Sequence, residues 1–394
     1  MELHETSYKL KSPSLVGRNA LIAGIIGSLL SIVGFLLNSP QFLHSYLVAY
    51  TFWLTLVLGA LFFVMLQHLV GAVWSIVLRR IAESIMSAVP LMAALFIPVL
   101  IGMHDLYHWS HADAVAVDHV LKAKSAYLNT TFFIIRSAVY FAVWFLLSRA
   151  LYRASVQQDS RFDHIRLAKM KRISAAGMIL FALTTTFAAF DWLMSLDPHW
   201  YSTIFGVYVF SGGLLSSIVA ITLICVFMRR RGVLSKEITH EHYHDLGKLT
   251  FAFMVFWAYV AFSQYLLIWY ANIPEETIWY HARWVGSWKA ISLLLVFGHF
   301  VVPFFIMITR PAKRNLAMMT AMSLWLLFMH WVDHYWLVMP TLQPEGAAFS
   351  WIDVATMLAI SGFSVWFIWR RLSTNAIVPV SDPRLAESIE FTNV

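Results

Sequence analysis

The sequence predicts an all-α polytopic membrane protein with ten transmembrane helices. Three observations carry this expectation. Of 394 residues, 60% are hydrophobic and only 12% are charged, against roughly 25% charged in an ordinary soluble domain. The apolar residues fall in near-continuous stretches of about 18 to 25, long enough to cross a hydrocarbon core about 30 Å thick. These stretches do not alternate apolar with polar positions, as the strands of a membrane β-barrel would.

The ten stretches are 19–37, 46–67, 82–103, 130–150, 174–191, 203–228, 247–271, 285–308, 316–338 and 350–369. Running the second on through His68 to Val77 would make a helix of about 48 Å, so a bend or interfacial segment is expected near Gly71. Pro90 and Pro98 should kink the third span and Pro303 the eighth. No connecting loop is large enough for a soluble domain, so residues 1–394 read as a single membrane domain. Residues 1–18 form a polar N-terminal segment before a retained signal anchor, and 372–394 a short extended tail containing Pro379 and Pro383.

Orientation follows from the cations. If both termini share one side, that side holds 23 of the 28 Lys and Arg residues, and only Lys122, Lys124 and Arg283 fall in loops on the other. The positive-inside rule then places both termini in the cytoplasm. The net charge of +7 is explained by this asymmetry and by attraction to anionic lipid, without nucleic acid as a partner.

No metal or covalently bound cofactor is expected in this chain. The only cysteine, Cys225, cannot form an internal disulfide or ligate an iron–sulfur cluster alone. His330 and His334 stand one helical turn apart, so they are not the two axial ligands of one haem. The run His240, Glu241, His242, Tyr243, His244, Asp245 lacks a zinc-ligand spacing and reads as a solvated helix start.

Ionisable residues inside a membrane are costly and need a partner or a pathway. Arg136 in span four and Asp191 at the outer end of span five match in depth with His104 and Asp105 at the end of span three, forming a first expected cluster. Lys289 in span eight, with His330, Asp333 and His334 in span nine and Asp353 at the start of span ten, forms a second. A cation in one helix followed by an aspartate in the next, repeated at an offset of four helices, suggests a parallel repeat of spans two to five and six to nine. Each cluster reads either as an ion pair pinning helices together or as a head-group and proton-transfer site. His68 and His299, nearer the middle, extend such a relay or are core histidines. The aromatic run Trp257, Tyr259, Phe262, Gln264, Tyr265, Trp269 and Tyr270, and the loop around Asp197, Pro198 and His199, offer surfaces on which a flat ring would stack.

The segments DWLMSLDPHWYSTIFGVYVFSGG at 191–213 and EHYHDLGKLTFAFMVFWAYVAFSQYLLIWYANIPEET at 241–277, with DPRLAESIEF at 382–391, resemble the NrfD/PsrC-like integral membrane subunits, most of all the ActF type of bacterial alternative complex III. The resemblance runs from about span one to the C-terminus. It implies an eight-helix core of two four-helix bundles, helices 2–5 and 6–9, plus a flanking helix at each end, in a bacterial cytoplasmic membrane. It also implies a cofactor-free subunit of a respiratory quinol:electron acceptor oxidoreductase that supports menaquinol oxidation and conducts protons. The implied partners are a paralogous NrfD-like subunit, iron–sulfur and haem c subunits, lipids and a terminal oxidase. Carrying over the quinol pocket of the paralogous subunit puts its acidic residue on Asp191. A structural anchor for peripheral redox subunits and a secondary transporter are the competing expectations.

Overall fold

A computed structural model describes residues 8–10 and 15–392. Most of the expected N-terminal segment 1–18 therefore lies outside the described residues. Among those described the chain is helical without strands, and ten helices are long and apolar enough to span a membrane. They are α1 (Leu15–Leu37), α2 (Ser39–Val70), α3 (Ile76–Ile101), α4 (Thr130–Gln158), α5 (His164–Leu196), α6 (Phe205–Arg230), α7 (His240–Ala271), α8 (Trp288–Met307), α9 (Leu316–Thr341) and α10 (Trp351–Thr374).

The ends differ from the apolar windows for local reasons. α5 begins ten residues before its window, because Arg166, Lys169, Lys171 and Arg172 are good helix formers whose long side chains reach outward. α2 starts directly after α1: Asn38 accepts from the Gln41 N–H at 3.1 Å, and Pro40 occupies the first turn. It ends where Gly71 takes a left-handed conformation at φ 65°, the bend expected there. α3 is broken into Ile76–Met86, Val89–Leu95 and Ile97–Ile101, with Pro90 and Pro98 opening the second and third pieces. α8 contains a wider π-helical turn, Leu295–Val301, just before Pro303. Pro303 has no N–H to return to that turn, and the Gly298 carbonyl instead accepts from Trp325 Nε1 at 2.7 Å.

α2 and α6 form the centre and are the two most buried spans. They lie so close that a Cβ on Gly59 would stand 2.3 Å from the Gly213 carbonyl oxygen, and one on Gly213 would stand 2.7 Å from that of Thr55. Small residues of this kind let helix backbones pack where lipid supplies no hydrophobic drive. α3 and α5 pack on α2, while α7 and α9 pack on α6. The flanking helices pack on one another, α10 also lying against α2. A Cβ on Gly27 would meet the Ala359 backbone at 2.3 Å.

The tail is not the extended arm expected. Ala376, Ile377, Val378 and Leu385 are buried, and a short helix, Leu385–Ile389, follows. The Ile377 N–H donates to the Tyr8 carbonyl at 3.0 Å, so both ends of the described chain share one face, called here the termini face. The tail covers the fully buried first piece of α3, which carries Arg79, Arg80 and Glu83. Arg79 pairs with Asp382 at 3.3 Å, and Arg80 with Glu83 at 3.0 Å and Asp159 at 2.8 Å.

Candidate functional site

His330, Asp333 and His334 stand at i, i+3 and i+4 on α9 and therefore share one helix face. All three are buried, facing α2 and α6. The Tyr208 hydroxyl on α6 donates to Asp333 Oδ1, and Trp257 Nε1 on α7 donates to Oδ2 at 3.2 Å. Among the described residues no lysine or arginine pairs with this carboxylate. Behind it, Thr55 Oγ1, at the middle of α2, lies 3.0 Å from His330 Nε2 and 3.3 Å from His334 Nε2. The Nδ1 atoms of both histidines have no hydrogen-bond partner among the described residues. His299 is carried inward on the π-helical turn of α8 and packs against Trp257 with ring centroids 3.8 Å apart. Both of its ring nitrogens also lack a partner among the described residues.

Tyr208 and Trp257 separate Asp333 from a cavity of about 980 Å³ between α7, α8 and the short helix Pro274–Ala282. Its walls are mainly aromatic and aliphatic, with a few polar groups set among them, the composition of a site for a flat amphiphile. Gln264 Nε2 donates to the Tyr280 hydroxyl at 3.0 Å, and burial raises the pKa of that phenol, keeping it neutral. Arg283 lines the cavity as a buried cation, its guanidinium 3.4 Å from the Trp279 ring centroid. It donates to the carbonyls of Trp279, Trp336 and Leu337 at 3.0, 3.2 and 3.0 Å. Burial lowers its pKa to about 9, so it is a cation at neutral pH.

The first expected cluster forms in part. Arg136 Nε and Nη2 reach Asp191 Oδ2 and Oδ1 at 2.8 and 2.9 Å, a bidentate pair, and the Tyr140 hydroxyl adds a third donor at 2.7 Å. Arg136 also packs against Tyr127 and Phe132, 3.8 and 4.3 Å from the centroids of two rings that stand nearly perpendicular to each other. Both oxygens of this carboxylate are thus engaged by charged or hydroxyl donors. His104 does not join it. After the break at Gly102, Met103 and Leu106 turn inward, which puts His104 and Asp105 outside. His104 contacts Ser110 at 3.0 Å, and Asp105 accepts from Ser39 at 2.9 Å.

The second cluster is corrected at two positions. Lys289 is exposed and sits 5.3 Å from the Trp284 ring centroid, away from Asp333. Its neighbour Trp288 takes the inward position, and one residue along an α-helix is a turn of about 100°. Asp353 belongs to a separate network at the start of α10, where it accepts from the Ser350 N–H at 2.8 Å and from Gln41 and Ser45 of α2. His68, at the far end of α2, has an unpartnered Nε2 among the described residues. It lies near the Arg79, Asp382 and Arg384 charges of the termini face.

Sequence reasoning missed Tyr208 and Trp257 as the partners of Asp333, Arg283 as a buried cation, and the Arg79, Arg80 and Glu83 network. The last had a signal: in LRRIAESI the charges sit at i+3 and i+4 with apolar residues between them. That is the spacing of an intrahelical ion pair, which serves on a solvated face as well as on a buried one. Among the described residues no group of three or more His, Cys, Asp or Glu side chains is arranged to hold a metal ion. The chain matches no known protein-family model, and no curated protein is significantly similar to it.

Proposed function

We propose that this chain is a cofactor-free NrfD-like membrane subunit of a bacterial respiratory quinol:electron acceptor oxidoreductase. It would lie in the cytoplasmic membrane with both termini in the cytoplasm. In this reading a menaquinol-type ring enters the aromatic cavity from the lipid, and its protons leave through Asp333. Quinol oxidation releases two protons and two electrons. The electrons pass to iron–sulfur and haem c groups of partner subunits, and thence to a terminal oxidase. A paralogous ten-helix subunit completes the membrane part.

The observation that carries this reading is Asp333: a buried carboxylate held by two neutral donors, one side chain behind the wall of a ring-sized cavity. Asp333 has no cation beside it among the described residues and is read as the proton acceptor, whereas both oxygens of Asp191 are already bonded to Arg136. Tyr208 faces both sides of that wall, so its hydroxyl can take a proton from the ring while passing its own to Asp333. His334, His330 and Thr55 extend hydrogen-bonding groups from there toward the middle of α2.

An anchoring role is the second reading, favoured by the Arg136–Asp191 pair, whose groups are satisfied by protein alone. Alternating access has less support. The broken helices are α3 and α8, which are not equivalents under a four-helix offset. The membership is tested by purifying the chain from its native membrane. Co-purification with haem c proteins and menaquinol-dependent reduction of those haems is expected, and a chain that purifies without redox partners would contradict it.

A further inference from the structure

A second groove, about 520 Å³, opens on the termini face between α3 and α10. Its apolar wall is Pro90, Leu91, Trp366 and Phe367, and its rim is Arg370 and Arg371. It exists because Pro90 restarts α3 after the break at Ser87 and Ala88, leaving a gap beside the last turns of α10. The Arg370 guanidinium lies 5.9 Å from the Trp366 ring centroid, and that of Arg371 lies 5.3 Å from Phe367 and 5.7 Å from Tyr152. Neither side chain pairs with a carboxylate among the described residues. By contrast Arg79, Arg80 and Arg384, on the same face, all do.

We infer that this groove binds an anionic phospholipid, its phosphate between Arg370 and Arg371 and an acyl chain along Pro90, Leu91, Trp366 and Phe367. The placement supports a lipid over a soluble phosphate. The groove is mostly apolar, it sits on spanning helices, and its cations lie at the end of α10 where head groups run. Guanidinium forks suit a phosphate ester, and basic pockets between spanning helices recruit negatively charged lipid. The bound lipid would seal the break in α3 and tie that helix to α10.

Native mass spectrometry of the full chain with its native partners, titrated with dioleoylphosphatidylglycerol, dioleoylphosphatidylethanolamine or inorganic phosphate, tests this. The wild-type protein should retain phosphatidylglycerol in preference to the zwitterionic lipid, with phosphate unable to displace it. Arg370→Gln combined with Arg371→Gln should weaken retention about 30-fold, each cation near the surface contributing about fivefold. Lys169→Gln combined with Lys171→Gln, exposed cations of the same face, should leave it unchanged. Leu91→Trp, which fills the apolar end and leaves the arginines intact, should also expel the lipid. Equal retention by the arginine variant, an equal loss in the lysine variant, or equal binding of the zwitterionic lipid would overturn the proposal.

Discussion

Tyr208 on α6, which lines the large cavity, donates its hydroxyl to the buried carboxylate of Asp333 on α9. Tyr140 makes the same type of bond to Asp191, but there Arg136 already occupies both carboxylate oxygens. Two aspartates near the same end of α5 and α9 are thus placed in opposite electrostatic settings. One is neutralised by a cation, and the other is held by neutral donors.

Tyr208→Phe removes the hydroxyl that bridges the cavity and Asp333 while keeping the ring that fills the wall. Quinol oxidation by the assembled complex is expected to fall at least about tenfold, since positioned proton transfer contributes on the order of 10² to 10⁴ in rate. Steady-state kinetics with a menaquinol analogue will read it. Unchanged turnover would remove Tyr208 from the proton path.

Arg136→Ala leaves Asp191 buried without its cation, and breaking a buried pair in this way costs roughly 3 to 5 kcal/mol. Thermal unfolding in detergent should show a clear loss of stability. Replacing both residues together, Arg136→Met with Asp191→Leu, should be better tolerated than either single change. If the double variant were the worst of the three, the pair would be doing more than joining α4 to α5.

Gly59→Val puts side-chain atoms where the Gly213 backbone already lies. Overpacking of this kind costs typically 1 to 3 kcal/mol, or more where backbone must move. The yield of folded protein should collapse, whereas Val57→Ala on the same helix should give a stable protein with a lower unfolding temperature. Fluorescence-detected size exclusion will compare them.

The tail carries a pH dependence. Burial opposes ionisation of Asp382, but the hydrogen bond from Arg384 and the charge of Arg79 outweigh it and hold the carboxyl below its ordinary value. A depressed folded-state pKa stabilises above the unfolded value, and that contribution is lost as pH falls through the folded one. Hydrogen-exchange protection at Leu385–Ile389, taken relative to the intrinsic rate at each pH, should therefore stay high from neutral pH down to the ordinary carboxylate range and fall only below it. Asp382→Asn should remove this dependence and speed exchange at neutral pH.

The fold was legible because hydrocarbon thickness and backbone hydrogen bonding leave few options for apolar runs of this length, and prolines mark where helices break. Helix depth was legible too, which is why Arg136 and Asp191 meet. Rotation about the helix axis was not. Lys289 and Trp288 are adjacent in sequence and equal in depth, yet the larger apolar surface takes the interior and the lysine faces out. Tyr208 and Trp257 sit in aromatic-rich helices whose many rings hide the two that turn toward a carboxylate. Arg283 looked like a loop cation because its stabilising partners, three backbone carbonyls and the Trp279 face, leave no trace in residue spacing.

The most direct test is menaquinol oxidation by the purified complex carrying Asp333→Asn, with Asp191→Asn made alongside it. Turnover should drop about 100-fold in the Asp333 variant while subunit composition and haem spectra stay as in the parent, and the Asp191 variant should show its defect in assembly. Full turnover with Asp333→Asn in an intact complex would contradict the assignment of this carboxylate as the proton acceptor.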